Sequence, residues 1–318
     1  MKYLNTPFDK SDKVSALRSI SILKNWFYYV IGVVFLLLSK LRFLSNGYSP
    51  KSISVNEFKK CADHDFRVVD RWVNHLVEYT GKGKFEVMRN KNILELGPGS
   101  DLGSGLYILA RSAKEYNAVD IYNLIKDVPD GFYDFFFEKM RLSGHDDIES
   151  LKDELKKFEN GRKSRINYFY QRDFDIVKAL GSRKVDLVVS NAAFEHFDNI
   201  EQTIRALGEV TVSGGIFIAL VDLKTHSRWI RDKDPNSIYR YSNGLFDLLS
   251  FPGTPNRIRP YQYKQALEDN GWKNVSINAI NLLNAKEYFF MIDHLHPMFR
   301  DAKNQMDQLT VMICATKS

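Results

Sequence analysis

The feature that most constrains the fold is a glycine-rich segment at residues 92–105, Asn-Ile-Leu-Glu-Leu-Gly-Pro-Gly-Ser-Asp-Leu-Gly-Ser-Gly. Its first five residues have the apolar character of a buried strand, and a helical pattern follows the glycines. Gly97 and Gly99 lack a Cβ atom, so the backbone can turn tightly there and approach a ligand closely. Glu95, at the strand end, can accept hydrogen bonds from a ligand amine or from the loop amides. The helix that follows offers unpaired N–H groups to an anion.

The rest of the chain continues this alternation of strand and helix. Helical patterns include Leu106–Glu115 and Ile200–Val210. Further apolar, β-rich runs lie at Tyr116–Ile121, Ile166–Tyr170, Val185–Ser190, Gly215–Leu223, Asn274–Ile280 and Thr310–Thr316. Near-continuous apolar strands alternating with helices predict an α/β fold, in which a seven-stranded, parallel sheet has helices on both faces and a late pair of strands closes the chain.

The length of 318 residues accommodates one large domain with an appendage. We expect an N-terminal extension over residues 1–61 and one domain over residues 62–318. Two connections within that domain, residues 122–165 and 224–264, are longer than the scaffold requires. The second carries eight Lys or Arg residues against three Asp. Long segments after the carboxyl end of a strand are where such folds build substrate sites.

Asp120 ends the second strand, about twenty residues after the glycine loop. A carboxylate at that position can accept hydrogen bonds from both hydroxyls of a ribose. A dinucleotide-binding domain is the nearest rival, but its fingerprint requires glycine at the sixth position of the loop. Leu102 stands there and Gly103 comes one residue late, so the dinucleotide interpretation is disfavoured.

Together with Asp120, two segments resemble class I S-adenosylmethionine (SAM)-dependent methyltransferases. They are the Glu-Leu-Gly-Pro-Gly turn and the block at 186–196, Asp-Leu-Val-Val-Ser-Asn-Ala-Ala-Phe-Glu-His. The resemblance covers roughly residues 62–318 and implies their Rossmann-like methyltransferase sheet. The extended glycine loop, Val221–His226 and Pro255–Arg259 are similar to a bacterial group associated with cell-surface polysaccharide pathways.

The resemblance implies SAM as the cofactor and S-adenosylhomocysteine as the product. Gly97, Pro98 and Gly99 would form the loop against its methionine portion, with Glu95 supporting that loop. Asp120 would hold the ribose. Further implied contacts are Ile121 packing on the adenine, Asp173 meeting its amino group with Phe174 beside it, and Asn191 facing the methyl donor.

Candidate catalytic groups follow from what methyl transfer needs. SAM is already activated, so the protein aligns the acceptor and removes its proton, and histidine suits that role. His196, after the fourth strand, is the first candidate base, and Glu195 beside it is a candidate substrate contact. The alternative is that the pair only caps the next helix and shapes the pocket. Asp222 and His226 form a second candidate pair, or part of a solvent-facing lid.

Arg257 and Arg259 are candidate clamps for a carboxylate or phosphate of the substrate, or partners of acids in the lid. No metal site is predicted, since the remaining histidines lack ligand spacing with a neighbouring acid. The two cysteines, Cys61 and Cys314, lie far apart and suit a reducing cytosol.

An apolar run, Trp26–Leu38, precedes the domain and is flanked by Lys24 and Lys40. It is shorter than the roughly 20 residues that span a bilayer comfortably, and no signal-peptide cleavage site follows it. Three interpretations stay open: a shallow membrane anchor, a helix buried in the domain or in a homodimer interface, and a true span. In each case the rest of the chain should be cytosolic, because its cofactor is found there.

The leading hypothesis is an O-methyltransferase acting on a sugar or lipid-linked glycan at the cytosolic face of the membrane. A small-metabolite or N-methyltransferase of the same fold is the first alternative, although Ser-Asn-Ala-Ala replaces the Asn-Pro-Pro-Tyr type of turn that N-acceptors favour. A non-catalytic SAM-binding scaffold is the second. The net charge of +6 fits an anionic acceptor or membrane surface, and no nucleic acid is expected as a partner because its motifs are absent.

Overall fold

The computed structural model describes residues 14–47, 53–227 and 229–318. Within the predicted extension 1–61, residues 1–13 and 48–52 therefore lie outside the described residues. The chain forms two compact units. Among the described residues, the sheet unit comprises 53–223, 255–282 and 308–318, and the α1 unit comprises 14–47, 224–227, 229–254 and 283–307. The predicted domain at 62–318 is thus shared between two units.

The sheet unit contains seven strands in the order β3-β2-β1-β4-β5-β7-β6. Strands β1 to β5 are parallel, whereas β7 runs antiparallel to both β5 and β6. The seven-stranded sheet closed by a late pair of strands is confirmed, and β7 alone runs opposite to the other six strands. The strands are β1 Asn92–Leu96, β2 Glu115–Asp120, β3 Ile166–Tyr170, β4 Val185–Asn191, β5 Thr211–Asp222, β6 Trp272–Leu282 and β7 Gln308–Lys317.

Seven helices of the sheet unit are α2 Phe58–Thr80, α3 Gly103–Ala110, α4 Phe132–Leu142, α5 Ile148–Glu159, α6 Ile176–Leu180, α7 Ile200–Val210 and α9 Pro260–Asp269. The prediction for α3, Leu106–Glu115, was displaced toward the carboxyl end. Ser112 has a φ of +64°, a left-handed conformation that a helix interior does not contain, so the helix ends before it. The long connection at 122–165 contains α4 and α5.

Helices cover both faces of the sheet. Alternate residues of a strand point to opposite faces, and Ile93 packs in one apolar cluster while Leu94 packs in another. The first cluster contains side chains of α2 to α5, and the second contains side chains of α6, α7 and α9. Trp72 and Trp272 are fully buried, one in each cluster. Burial of each such large side chain contributes roughly 1.5–3 kcal/mol or more.

The α1 unit is built on α1, Val14–Asn46, which is much longer than the apolar run Trp26–Leu38. Two shorter helices, α8 Asn243–Leu249 and α10 Ala285–Met291, belong to the same unit. Its interior also holds a bidentate ion pair, in which Arg240 donates to both oxygens of Asp234 at 2.7 and 2.9 Å. Residues 283–307 were not predicted to be an insertion between strands.

Candidate active site

The glycine loop adopts the conformation that its sequence predicts. Gly97 and Gly99 follow β1 with φ values of +69° and +88°, which favour glycine. A Cβ atom added to Gly97 would lie 2.9 Å from the Cβ of Ala193, in the loop after β4. No atom lies within 4 Å of a Cβ added to Gly99. Pro98 between them is half-buried. The two loops therefore approach closely at Gly97, and open space remains at Gly99.

Glu95 lies beneath this loop and is buried. Its carboxyl group accepts a hydrogen bond of 2.6 Å from the hydroxyl of Tyr116 on β2. Burial raises the pKa of Glu95 to about 8. Tyr116 in turn packs against Gly105 of α3, where an added Cβ would lie 2.3 Å from its ring. Glu95 thus holds Tyr116, whose ring packs against the helix that follows the loop. The implied support of the glycine loop by Glu95 stays a prediction.

Asp120 lies at the end of β2 with its carboxyl group toward the loop. The Tyr122 amide donates to one of its oxygens at 2.8 Å, and the Gly99 amide approaches the other at 3.5 Å. Burial raises the pKa of this carboxyl group. Ile121, the next residue, exposes 40% of its surface. The implied ribose contact of Asp120 and the implied adenine contact of Ile121 stay predictions.

Two further buried carboxyl groups, those of Asp101 and Asp65, lie where the loop enters α3. Asp101 accepts a hydrogen bond of 2.7 Å from the Gly103 amide at the start of α3. The Asp101 carboxyl group is also hydrogen-bonded to that of Asp65 on α2. Burial raises the pKa of Asp65 to about 8 and raises the pKa of Asp101 as well. The sequence did not single out either residue.

Asp173 and Phe174 lie in the turn after β3. Asp173 is exposed, and Phe174 has a φ of +52°, uncommon for a bulky residue. The Phe174 ring packs against Phe197, with centroids 4.7 Å apart. This contact joins the turn after β3 to the chain after β4. The implied adenine contact of Asp173 stays a prediction.

The chain after β4 turns abruptly at the carboxyl edge. Asn191 ends the strand, and its Oδ1 is buried without a hydrogen-bond partner among the described residues. Ala192 follows with a φ of +53°. A short 3-10 turn, Phe194–His196, carries the two candidate acceptor-site residues. Within this turn Glu195 is buried, whereas His196 is half-buried.

Asn256 fastens this turn to the segment that precedes α9. Its backbone amide donates to Glu195 O at 2.6 Å, and its Nδ2 donates to Phe194 O and Phe197 O, both at 3.1 Å. The Asn256 Oδ1 accepts from the Ile258 amide at 3.2 Å. Sequence reasoning selected the two arginines beside Asn256 and missed Asn256 itself. Its partners lie about sixty residues away, so no local pattern identifies this role.

The remaining candidates of the sheet unit occupy different environments. Asp222 is buried at the end of β5, and Arg257 is half-buried. Arg259 is fully buried, and its guanidinium donates to Gln308 O at 3.0 Å. This burial favours a structural role for Arg259 over the predicted clamp. His226 belongs to the α1 unit, so its predicted pairing with Asp222 stays a prediction.

A cleft of about 960 Å³ lies beside β3. It is formed by α4, α5, β3 and the segment that follows β2. Tyr168 and Tyr170 of β3 line it, as do Lys152 and Lys156 of α5. The sheet order places β3 beyond β2, whereas Glu195, His196 and Asp222 follow β4 and β5. This cleft is therefore separate from the edge that carries the candidate catalytic groups.

The model of the family described as "Methyltransferase domain" matches residues 62–277, two thirds of the chain. The chain belongs to this methyltransferase family. No curated protein matches the methyltransferase in sequence.

Several solved structures are similar to this methyltransferase. A SAM-dependent methyltransferase from Mesorhizobium loti is 13% identical, with a TM-score of 0.40, and covers 72% of this chain and 92% of its own. A protein from Listeria monocytogenes, described as a candidate SAM-dependent methyltransferase, is 17% identical with a TM-score of 0.42. It covers 77% of this chain and 96% of its own. A protein from Nostoc punctiforme, described as a candidate O-methyltransferase, is 15% identical with a TM-score of 0.46 and coverages of 97% and 75%.

SAM is the cofactor of this methyltransferase. The residues present fit it. Open space remains at Gly99, and Asp120 presents a carboxyl group anchored by a backbone amide. Asn191 retains a buried oxygen without a described partner. When bound, SAM supplies a methyl group on a sulfonium, so activation of the donor does not fall to the protein.

Proposed function

We propose that this methyltransferase methylates a hydroxyl oxygen of a sugar or lipid-linked glycan at the cytosolic face of the membrane. The observation that carries the proposal is the position of the turn with Glu195 and His196. It begins three residues after Asn191, and its neighbour strand β5 ends at Asp222. Asn191 and Leu220 are register partners in the parallel pair β4 and β5, so Asp222 extends two residues past that register.

These residues supply what a hydroxyl acceptor needs. As the acceptor oxygen forms its bond to the methyl carbon, the carbon–sulfur bond breaks and the hydroxyl proton must leave. An imidazole nitrogen of His196 accepts that proton. The carboxyl groups of Glu195 and Asp222 accept hydrogen bonds from other hydroxyls of the acceptor and orient it. A sugar offers several such hydroxyls, whereas an amine acceptor has less use for this set of groups.

The membrane part of the proposal is supported by α1. Its segment Ile22–Ser45 is long and apolar enough to cross a bilayer by length and composition, the one such helix in the part of the chain that the structure describes. Core helices and signal sequences pass the same test. Only 11% of the most apolar window of α1 is buried, however, which is unlike a core helix.

The experiment measures release of S-adenosylhomocysteine with three panels of acceptors: nucleotide sugars and prenyl-phosphate-linked glycans, small hydroxyl compounds, and amines. Turnover on the glycan panel supports the proposal. Turnover on amines alone would establish an N-methyltransferase instead, and SAM binding without turnover on any panel would favour the scaffold.

The role of His196 is tested by His196→Asn, with Asp198→Asn as the matched control. Asp198 is exposed two residues beyond His196. Loss of a general base lowers kcat by about 100-fold or more, with the Kd of SAM unchanged. The control should retain kcat. Equal rates for His196→Asn and the wild type would refute the assignment of the base.

A further inference from the structure

One face of α1 is exposed and entirely apolar. Ten large apolar side chains between Ile22 and Leu44 expose 40–75% of their surface. Six of them follow one another at alternating spacings of four and three residues, which places them on one side of a helix. These six are Leu23, Phe27, Val30, Val34, Leu37 and Leu41. We call the ten side chains the α1 apolar face.

The size of the α1 apolar face is unusual for a soluble surface. A helix rises about 1.5 Å per residue, so this face is roughly 33 Å long. Ten half-exposed large side chains present on the order of 1,000 Å² of apolar surface, against roughly 300–600 Å² for the largest patch of a typical soluble monomer. A face of this size requires a covering partner.

The opposite face of α1 is attached to its own unit along its length. Asn25 Nδ2 donates to Phe290 O at 3.0 Å near one end. Near the other end, the ring of Phe43 stacks on that of Phe251 with centroids 5.3 Å apart. Between them, a Cβ added to Gly32 would lie 2.1 Å from a tyrosine hydroxyl of the same unit. These contacts fix which face of the helix remains exposed.

The segments attached to α1 are incompatible with the hydrocarbon of a bilayer. Residues 224–254 and 283–307 carry fifteen Asp, Glu, Lys or Arg residues, among them the buried pair Asp234 and Arg240. Charged groups in the bilayer interior are costly. Because these segments accompany α1 from Asn25 to Phe43, the helix cannot cross a membrane without them. The one orientation that wets the charged segments and buries the apolar face is parallel to the membrane surface.

The charge of α1 favours lipid over a second copy of the chain. Its 33 residues include four basic residues and no acidic one. Lys24 and Arg42, near the two ends, are both exposed. Anionic headgroups pair with such basic residues, while their methylene stems can follow the apolar surface. Two copies of α1 packed together would bring like charges near each other and supply no acid to pair with them.

We propose that the α1 apolar face inserts into one leaflet of a bilayer with anionic headgroups, and that α1 lies in the membrane plane as a monotopic anchor. The proposal deepens the membrane part of the proposed function and rests on that function only for the reason the enzyme would be at a membrane. Lipid binding itself requires no methyl transfer. Failure of one is therefore distinguishable from failure of the other.

The test is flotation of the full-length protein with vesicles of phosphatidylcholine, alone or mixed with phosphatidylglycerol. We expect partitioning to the mixed vesicles to exceed that to phosphatidylcholine by about tenfold. The double variant Val30→Glu/Leu37→Glu should lower partitioning at least about tenfold, because both carboxylates would enter the apolar layer. Leu142→Glu is the matched control, since Leu142 is an exposed leucine of the sheet unit. SAM binding, measured by calorimetry, confirms that each variant is folded.

Wild-type protein that floats with neither kind of vesicle would overturn the proposal. A second result would also overturn it: sedimentation shows a wild-type dimer, Val30→Glu/Leu37→Glu dissociates that dimer, and neither protein binds lipid. A second copy of the chain would then cover the α1 apolar face. Orientation is tested with spin labels at Leu23→Cys, Val34→Cys and Leu44→Cys. Equal depths support the in-plane helix, and a maximum depth at residue 34 with both ends shallow would show a span.

Discussion

Replacing Asn256 by alanine tests how the candidate catalytic turn is held. The change removes the Nδ2 group that donates to Phe194 O and Phe197 O. It also removes the Oδ1 atom that accepts from the Ile258 amide and from the Tyr263 hydroxyl. It leaves the bond from the Asn256 backbone amide to Glu195 O in place. The perturbation therefore loosens the turn without deleting any group that contacts SAM or the acceptor.

The expected magnitudes follow from these contacts. Four lost hydrogen bonds at about 0.5–1.5 kcal/mol each lower the free energy of unfolding by roughly 2–6 kcal/mol. A catalytic group displaced by about 1 Å can cost up to 100-fold in rate. We therefore expect kcat to fall about 10- to 100-fold. The Kd of SAM should change by less than about twofold, because Asn256 contacts neither the glycine loop nor Asp120.

The assay is steady-state release of S-adenosylhomocysteine at saturating SAM, combined with calorimetric titration of SAM and thermal unfolding. Asn199→Ala is the matched control. Asn199 Oδ1 accepts from the Gln202 amide at 3.0 Å and caps α7 just beyond the turn. Its loss should cost about 1 kcal/mol of stability and leave kcat unchanged.

Asn256→Asp separates the donors from the acceptor, since aspartate keeps an oxygen for Ile258 but cannot donate to the two turn carbonyls. Its kcat should fall as far as that of the alanine variant. The reasoning fails if Asn256→Ala and Asn199→Ala have the same kcat, or if Asn256→Ala loses SAM affinity in proportion to its rate.

Three further predictions concern the cofactor loop. Gly105→Ala should lower the free energy of unfolding by about 1–3 kcal/mol, because its Cβ would lie 2.3 Å from the Tyr116 ring. Gly244→Ala is the control, since Gly244 faces open space. Equal melting temperatures for the two variants would refute the prediction. Asp65→Asn should have a higher melting temperature than the wild type near pH 8, and the difference should shrink toward pH 4. The pKa of the Asp65 carboxyl is about 8 in the folded protein and near the ordinary value in the unfolded chain. Between these two pKa values, each unit of rising pH lowers the free energy of unfolding of the wild type by about 1.4 kcal/mol. A difference in melting temperature that does not change with pH would contradict this reasoning. Asp120→Ala should weaken SAM binding about 10- to 100-fold, measured by calorimetry, and leave the melting temperature nearly unchanged. An unaltered affinity for SAM would refute the predicted contact between Asp120 and the ribose.

The strand and loop around residue 97 were predictable because their causes are local. Apolar runs of strand length, glycines at positive φ and an acid at the end of the next strand each depend on residues within a few positions of one another. The predicted bounds of β1 and β3 match the structure, as does Ile200–Val210 of α7. Family membership followed from the same local signals.

Other parts of the site depend on contacts between distant residues, and no periodicity reveals them. Asn256 reaches a turn sixty positions away, Asp65 pairs with Asp101, and Arg259 is buried against Gln308. The sequence pattern singled out the arginines of this segment, whereas the hydrogen bonds to the turn after β4 come from Asn256.

The amino-acid sequence by itself determined that this chain forms a seven-stranded methyltransferase sheet with its glycine loop after β1, because those features arise from local patterns of side-chain size and backbone freedom. It also determined that residues 26–38 are apolar. Only the tertiary structure decided which face of α1 is covered, because that depends on where residues 224–254 and 283–307 pack, far away along the chain. Burial is a property of the packed unit, and a run of apolar residues does not reveal which of its sides the protein will cover.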